Sequence, residues 1–293
     1  MQLRPRALRV LSNRYRFYSS SVRFCPVPLL ESLHDEDINH LDLERPVVFR
    51  KQFKDVPAIS RWFTLLESSG EAFELRSTYL KQHEDLMVPL ELSSKTDSPN
   101  PLEQVKFERF EGPLGLLLHD LRRIEDADAQ DMRLYLAQCP LEDLPSDLRA
   151  DLPTPGFVSR IGNGDIYGSS LWMGRPPTTT PLHRDPNPNL FVQLAGKKTV
   201  RLMKPSAGRE LYERTKATSG RANMRGEEMM VGQERWNLED AVWNDENGDK
   251  TWPARGWEAQ IERGDGLYIP LGYWHAVRGT GPGINVSANW WFR

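Results

Sequence analysis

The sequence predicts a mainly β domain folded around a metal centre, and three observations carry that reading. A His-x-Asp pair, His183 and Asp185, is followed much further along by the run GDGLYIPLGYWHAV, which contains His275. Around both motifs lie short apolar runs punctuated by Gly- and Pro-bearing turns, the pattern of short strands. Two imidazoles and one carboxylate, with coordination positions left over, form the donor set of a non-haem ferrous site. A cage closed by four protein ligands would leave no place for an oxidant and a co-substrate. Residues two apart on a strand leave the same face, so His183 and Asp185 are placed to chelate one ion. His275 must arrive from a distant strand, which requires a folded sheet. Alone, the pair is a weak signal, because a His and an Asp this close commonly share a surface hydrogen bond. The surroundings change that reading.

The elements follow in chain order. Residues 1–30 hold six arginines and no acidic residue. Leu3, Ala7, Val10 and Leu11 share one helical face, with Arg6, Arg9 and Arg16 elsewhere on it and Ser19, Ser20 and Ser21 following. This is the composition of a mitochondrial transit peptide, and a matrix location is expected. The alternative is a basic disordered tail or an RNA-binding arm. Residues 31–130 read as a mixed α/β segment packing on the barrel. Pro46–Arg50 is expected as a strand, Ile59–Ser68 as a helix ended by Gly70, and Leu86–Leu92 as a strand. Ser93–Pro101 is expected as a polar loop, and a helix starts at Pro113 and runs to about Ile124. Residues 140–156 connect it to the rest.

Residues 131–293 form the expected barrel. Leu190–Leu194 and Thr199–Met203 read as strands of a hairpin, joined by a tight turn at Ala195-Gly196-Lys197. Leu267–Ile269 and Trp274–Val277 are short strands on either side of a Pro270–Gly272 corner, and Ile284–Phe292 is the closing strand. Residues 204–260 read as a long insertion rich in Met and Trp. Loops of that length serve as lids or binding loops, or as packed flaps.

Composition narrows the function classes. A net charge of -3 argues against a general nucleic-acid binder. Cys25 and Cys139 make neither a disulfide framework nor a zinc site. No apolar run reaches membrane-spanning length, so no membrane partner is expected.

TPLHRDPNPN, QLAGKKTV, GDGLYIPLGYWHAV and INVSANWWF occur in this order. In these motifs, over Arg133–Arg293, the chain resembles a Jumonji-C (JmjC) domain of the cupin-like 2-oxoglutarate oxygenases. It is most similar to the small hydroxylase branch that includes the asparaginyl hydroxylase factor inhibiting hypoxia-inducible factor. The resemblance implies a double-stranded β-helix, jelly-roll or cupin-like, with flanking N-terminal helices. It implies His183, Asp185 and His275 as ligands of Fe(II), with 2-oxoglutarate and O2 as co-substrates. Lys198 matches the lysine that pairs with the distal carboxylate of 2-oxoglutarate, and Thr180 and Tyr135 match hydroxyls that bond to it. Asn189 and Asn289 match amides lining the pocket.

Elementary chemistry supports those roles. A dianion inside a barrel needs a cation, because a buried unpaired carboxylate is costly. Lys198 is the nearest cation that reaches inward from the strand after the ligand pair, and Lys197 should point the other way. Hydroxyls at Thr180 and Tyr135 are able to donate to the remaining lone pairs. Otherwise Lys198 would be a solvated turn lysine, and the two asparagines simple turn or strand amides. Trp291, beside Asn289, is the tryptophan expected at the pocket.

The expected activity is hydroxylation of a protein or peptide, with succinate and carbon dioxide as co-products. An N-methyl-lysine demethylase and a tRNA modified-base hydroxylase share the chemistry, so RNA stays open as a substrate. A non-catalytic cupin-like binding module is the alternative from another class; the intact triad and Lys198 argue against it. The chain ends directly after the expected last strand, without the C-terminal helices through which the asparaginyl hydroxylase dimerises, and the oligomeric state is left open.

Overall fold

The structure, a computed structural model, describes residues 24–31, 38, 40–66, 70, 72–97, 105–122, 132–216, 232–244 and 256–293. The expected leader therefore lies almost wholly outside the described residues. Strands in chain order are β1 (Phe24–Pro26), β2 (Leu29–Leu30), β3 (Val47–Phe49), β4 (Phe63–Leu65), β5 (Phe73–Leu75), β6 (Met87–Lys95), β7 (Val105–Pro113) and β8 (Met132–Pro140). They continue with β9 (Ile166–Gly174), β10 (Thr178–Arg184), β11 (Asn189–Ala195), β12 (Lys197–Met203), β13 (Gly256–Glu262), β14 (Gly266–Ile269), β15 (Trp274–Thr280) and β16 (Asn285–Phe292). The helices are α1 (Pro57–Arg61), α2 (Ser77–Leu80), α3 (Leu114–Asp120), α4 (Ser146–Ala150), α5 (Gly156–Ile161), α6 (Pro205–Lys216) and α7 (Gln233–Trp243).

Two sheets face each other. One runs β1-β13-β12-β15-β10, the other β2-β3-β14-β11-β16-β9-β8-β6-β7, and β4 pairs with β5 alone. This is the jelly-roll architecture expected of a double-stranded β-helix. Alternation sorts the side chains. Val200 and Leu202 of β12 turn inward and pack with Phe191, Leu267, Ile269 and Val277 between the sheets. Met203, Trp274 and Ala276 turn outward and pack with Leu211 of α6 and with Leu238 and Val242 of α7. On the outer face of the larger sheet Val286, Ala288, Trp290 and Phe292 join the largest core, with Leu117, Leu118 and Phe157. Burying an aromatic such as Trp290 contributes about 2–3 kcal/mol.

Several expected elements are redrawn. The expected helix Ile59–Ser68 is a short helix, α1, followed by a strand, β4, whose Phe63 pairs with Leu75 of β5. Trp62, Phe63 and Thr64 favour a pleated surface over a helix. Gly70 lies in the β4–β5 connection at positive φ. Strand β6 overruns the expected polar loop as far as Lys95, because β7 and β8 pair with it from both sides and satisfy its backbone. The expected helix begins at Leu114 with Pro113 as its cap and runs to Asp120; residues 123–130 lie outside the described ones.

The strands around Gly196 are not a paired hairpin. Gly196, at φ +71, carries the chain from β11 in one sheet to β12 in the other. The expected insertion 204–260 ends sooner, because β13 starts at Gly256. Its described parts, α6 and α7, cover the outer face of the five-stranded sheet. Trp243 is gripped there between the guanidinium groups of Arg201 and Arg278, 4.8 and 4.3 Å from its ring.

The expected N-terminal segment joins the barrel's own sheet, β3 beside β14 and β6 beside β8. The connecting segment 140–156 contributes the buried Asp151. Its carboxylate accepts hydrogen bonds from Trp62 Nε1 (2.7 Å), the Tyr79 hydroxyl (2.8 Å) and Arg61 (2.6 Å).

Candidate metal centre

Strands β10 and β15 are antiparallel neighbours, and their register sets His183 directly opposite His275. The ladder is irregular between Thr180 and His183. Pro181 lies there, and a proline has no N–H to give a ladder. Asp185 lies just past the end of β10 rather than within it, as the same-strand argument required. Pro186 follows it and restricts its backbone to an extended turn.

The three residues converge. The candidate ligand atoms of His183, Asp185 and His275 all lie within 4.8 Å of one another. His183 Nε2 is 3.8 Å from Asp185 Oδ1, and His275 Nε2 is 3.5 Å from Oδ2. Atoms bound about 2 Å from a shared ion sit roughly 3–4 Å apart, so the set fits one metal. The other ring nitrogens are occupied. His183 Nδ1 donates to the Pro181 carbonyl at 2.8 Å, and His275 Nδ1 points at the Tyr273 carbonyl at 3.4 Å. With protons on Nδ1, each Nε2 lone pair is turned to the common point.

The protonation states suit a metal as well. Burial drives the His275 pKa down to about 4, and the neighbouring His183 adds to the effect. Burial pushes Asp185 the other way. The attraction of His275 and His183, with the hydrogen bond from the Asn189 amide, outweighs that push and holds the carboxyl below its usual range. At neutral pH the site offers a neutral His275 and a charged carboxylate, as metal binding demands.

The two asparagines form a relay to that carboxylate. Asn289 Nδ2 donates to Asn189 Oδ1 at 3.1 Å, and Asn189 Nδ2 donates to Asp185 Oδ2 at 2.9 Å. They orient the acidic group across the gap between β10 and β16.

Register places the remaining candidates in rows on the inner face of the five-stranded sheet. His183, His275 and Leu202 make one row, Thr180, Val277 and Val200 the next, and Thr178, Gly279 and Lys198 the third. Lys198 is buried, as expected, while Lys197 is half-buried and acts on Glu262. Lys198 Nζ donates to Ser287 Oγ at 2.7 Å and lies over the Phe191 ring. Burial alone takes its pKa down to about 7. Among the described residues no carboxylate pairs with it, so a buried cation is left without a counter-charge. Tyr135, on β8, packs 6.3 Å from Trp172, and burial raises its pKa. Ser287 escaped the sequence reading, although alternation along INVSANWWF puts it on the same face as Asn289 and Trp291.

A family model described as a cupin-like domain matches residues 34–293. The chain belongs to the cupin-like family. Among its relatives, the lysine-specific demethylase JMJ30 of Arabidopsis thaliana is 33% identical over 54% of this chain and 33% of its own length. Jumonji C domain-containing protein 5 of Drosophila melanogaster is 26% identical over 91% of this chain and 60% of its own length. Lysine-specific demethylase 8 of Danio rerio is 29% identical over 54% and 36%. This cupin-like chain thus spans about a third to three fifths of the length of these relatives, and the Drosophila relative is named for the Jumonji C domain anticipated from the motifs.

Proposed function

We propose that the chain is an Fe(II)- and 2-oxoglutarate-dependent oxygenase that hydroxylates a protein or peptide. The observation that supports this best is the pairing of two features on one sheet face. One is a His-Asp-His set with both Nε2 atoms turned to a single point. The other is a buried lysine two rows away that has no counter-charge among the described residues. His183, Asp185 and His275 would hold ferrous iron, and Lys198, with Thr180 and Tyr135, would hold the distal carboxylate of 2-oxoglutarate. Bound there, the pair would supply oxygen activation, giving succinate and carbon dioxide as one oxygen atom enters a C–H bond. The chain's own residues orient and exclude water. Asn289 and Asn189 fix the carboxylate, and the apolar wall of Val200, Leu202 and Val277 keeps the inner face dry.

Lysine demethylation is the second reading, favoured by the names of two of the relatives. We further propose import into the mitochondrial matrix, supported by the arginine-rich, acid-free composition of residues 1–30. The deciding experiment measures succinate released from 2-oxoglutarate with and without added Fe(II), beside a mass search for one added oxygen on protein and RNA. Iron-independent or absent succinate release sinks the oxygenase. Formaldehyde release from methyl-lysine peptides, with loss of a methyl mass, replaces hydroxylation with demethylation.

A further inference from the structure

The turns at the end of the barrel away from the candidate metal centre enclose a second cavity. Along β12 the ladder sets Leu202 opposite His275 and Lys197 opposite Thr280, which places Lys197 roughly 17 Å along the strand from the row of the ligands. A cavity of about 610 Å³ opens at this end, with Lys54, Leu65, Phe73, Lys197, Glu262 and Arg263 in its lining. That size suits a small molecule. None of His183, Asp185 and His275 lines it.

Its turns are braced from inside. Lys51, also in the lining, holds a positive φ of 56°, a costly conformation for a residue with a side chain that persists only where the surroundings impose it. The buried Asp265 imposes it here. Its carboxylate accepts the main-chain N–H groups of Lys51 and Glu262, each at 2.9 Å, and the Arg50 guanidinium. Lys51 Nζ then crosses to Glu262 Oε1 at 2.9 Å and to the Arg263 carbonyl at 2.8 Å, and the first of these bonds holds the Glu262 carboxyl below its usual range.

Two further cations are not engaged in this way. The Arg263 guanidinium lies 5.2 Å from the Phe73 ring, and its Nε is enclosed without an acceptor. It makes no ion pair among the described residues. Lys54 is exposed and likewise has no ion pair among the described residues. Gly264, at φ +86, brings the turn after Arg263 against Lys54, since a Cβ there would lie 3.1 Å from Lys54 Cα. The described lining holds Lys51, Lys54, Lys197 and Arg263 against Asp55 and Glu262, a surplus of two positive charges. Glu67 and Glu71, which flank Gly70 closely in the sequence, lie outside the described residues. A phosphate monoester carries about -1.5 to -2 charges at neutral pH and three acceptor oxygens, enough to meet Lys54 and Arg263 together. The half-buried Phe73 and the exposed Leu65 offer an apolar surface to its organic part.

We propose that this cavity binds a small phosphate monoester, a sugar phosphate or nucleoside monophosphate, with Lys54 and Arg263 holding the phosphate and Phe73 and Leu65 the organic part. The assignment stands apart from the oxygenase reading, because it uses none of the residues assigned there.

The test uses the full chain without metal. Calorimetry measures ribose 5-phosphate and adenosine monophosphate beside ribose, adenosine and succinate, and nitrogen-15 NMR follows the Arg263 Nε–H. Both phosphate esters should bind about tenfold or more tightly than their uncharged parents, as charge-assisted bonds imply, weaken as salt rises, and shift the Arg263 signal. Lys54→Gln alters an exposed side chain and should lower the ester affinity about tenfold. Arg263→Gln should do the same, and Arg263→Lys, which keeps the charge without the planar fork, should restore part of it. Equal binding of the esters and their uncharged parents to the unmodified chain overturns the proposal without any variant. Ester binding that Lys54→Gln and Arg263→Gln both leave unchanged also overturns it, by putting the phosphate elsewhere on the chain. Succinate bound as tightly as the esters, and lost in the same two variants, would replace the phosphate monoester with a dicarboxylate.

Discussion

Replacing Lys198 by Met should make the ligand-free protein more stable while removing 2-oxoglutarate binding. The lysine is 3% exposed and, among the described residues, has one hydrogen bond, to Ser287. Burial displaces its pKa from 10.5 to about 7. At about 1.4 kcal/mol for each tenfold, holding the charged form inside the fold costs about 5 kcal/mol. The unfolded chain keeps the ordinary lysine pKa, so between pH 7 and 10.5 the unfolded state binds the extra proton. Stability therefore rises with pH across that window and is lowest below pH 7, where both states are charged. From pH 7 to 9 the gain is about 2 kcal/mol. Methionine has a similar shape and no charge, but it forfeits the Ser287 bond, about 1 kcal/mol. The variant should thus gain about 3–4 kcal/mol at pH 6 and lose the alkaline rise expected of the unmodified chain. Urea denaturation of both proteins at pH 6, 7, 8 and 9 measures this, and calorimetry measures 2-oxoglutarate binding. A variant less stable than the parent at pH 6, or with the same pH slope, refutes the buried-charge argument. Undiminished 2-oxoglutarate binding refutes the pocket assignment.

Asp185→Ala removes the anionic ligand and should abolish Fe(II) binding and succinate release; near-normal values for either in the purified variant would refute the metal assignment. Folded His275 stays neutral down to about pH 4 while the unfolded residue protonates near 6.5, so stability should fall as pH drops through that interval, and His275→Gln should flatten this limb in acid denaturation. Asp151→Ala strands the indole, hydroxyl and guanidinium donors that meet on it and should destabilise the chain by about 3–5 kcal/mol in urea, with a loss under 1 kcal/mol counting against the clasp. Residues 1–30 fused to a fluorescent protein should enter mitochondria, and a diffuse cytosolic signal would reject the leader assignment.

The candidate metal cluster was legible because the HxD pair is read together with the motifs around it, and the fold brings its residues beside His275. The HxD pair and the distant WHAV strand name their residues without any knowledge of pairing, and alternation separates Lys198 from Lys197. Partner choice was not legible. Nothing in LAGKK says that the tight turn crosses between sheets, since β11 and β12 each look like half of a hairpin. The run Ile59–Ser68 has helical spacing, yet the backbone of Phe63–Leu65 within it is claimed by the β5 partner beyond Gly70. The polar stretch Ser93–Lys95 is strand only because neighbours on both sides take its hydrogen bonds.

The strand order of the larger sheet has a consequence for how this chain tolerates change. Strands β9 and β8 stand between β6 and β16, and at about 4.8 Å per strand β6 lies roughly 14 Å from the strand that carries Trp291 and Asn289. Substitutions that far apart act additively in general. Drift in β6 and β7 is thereby insulated from the candidate metal ligands on the facing sheet, though not from Tyr135, which lies opposite Glu91 of β6. Sequence on the outermost strands could therefore drift one residue at a time while the three candidate ligands stay where they are.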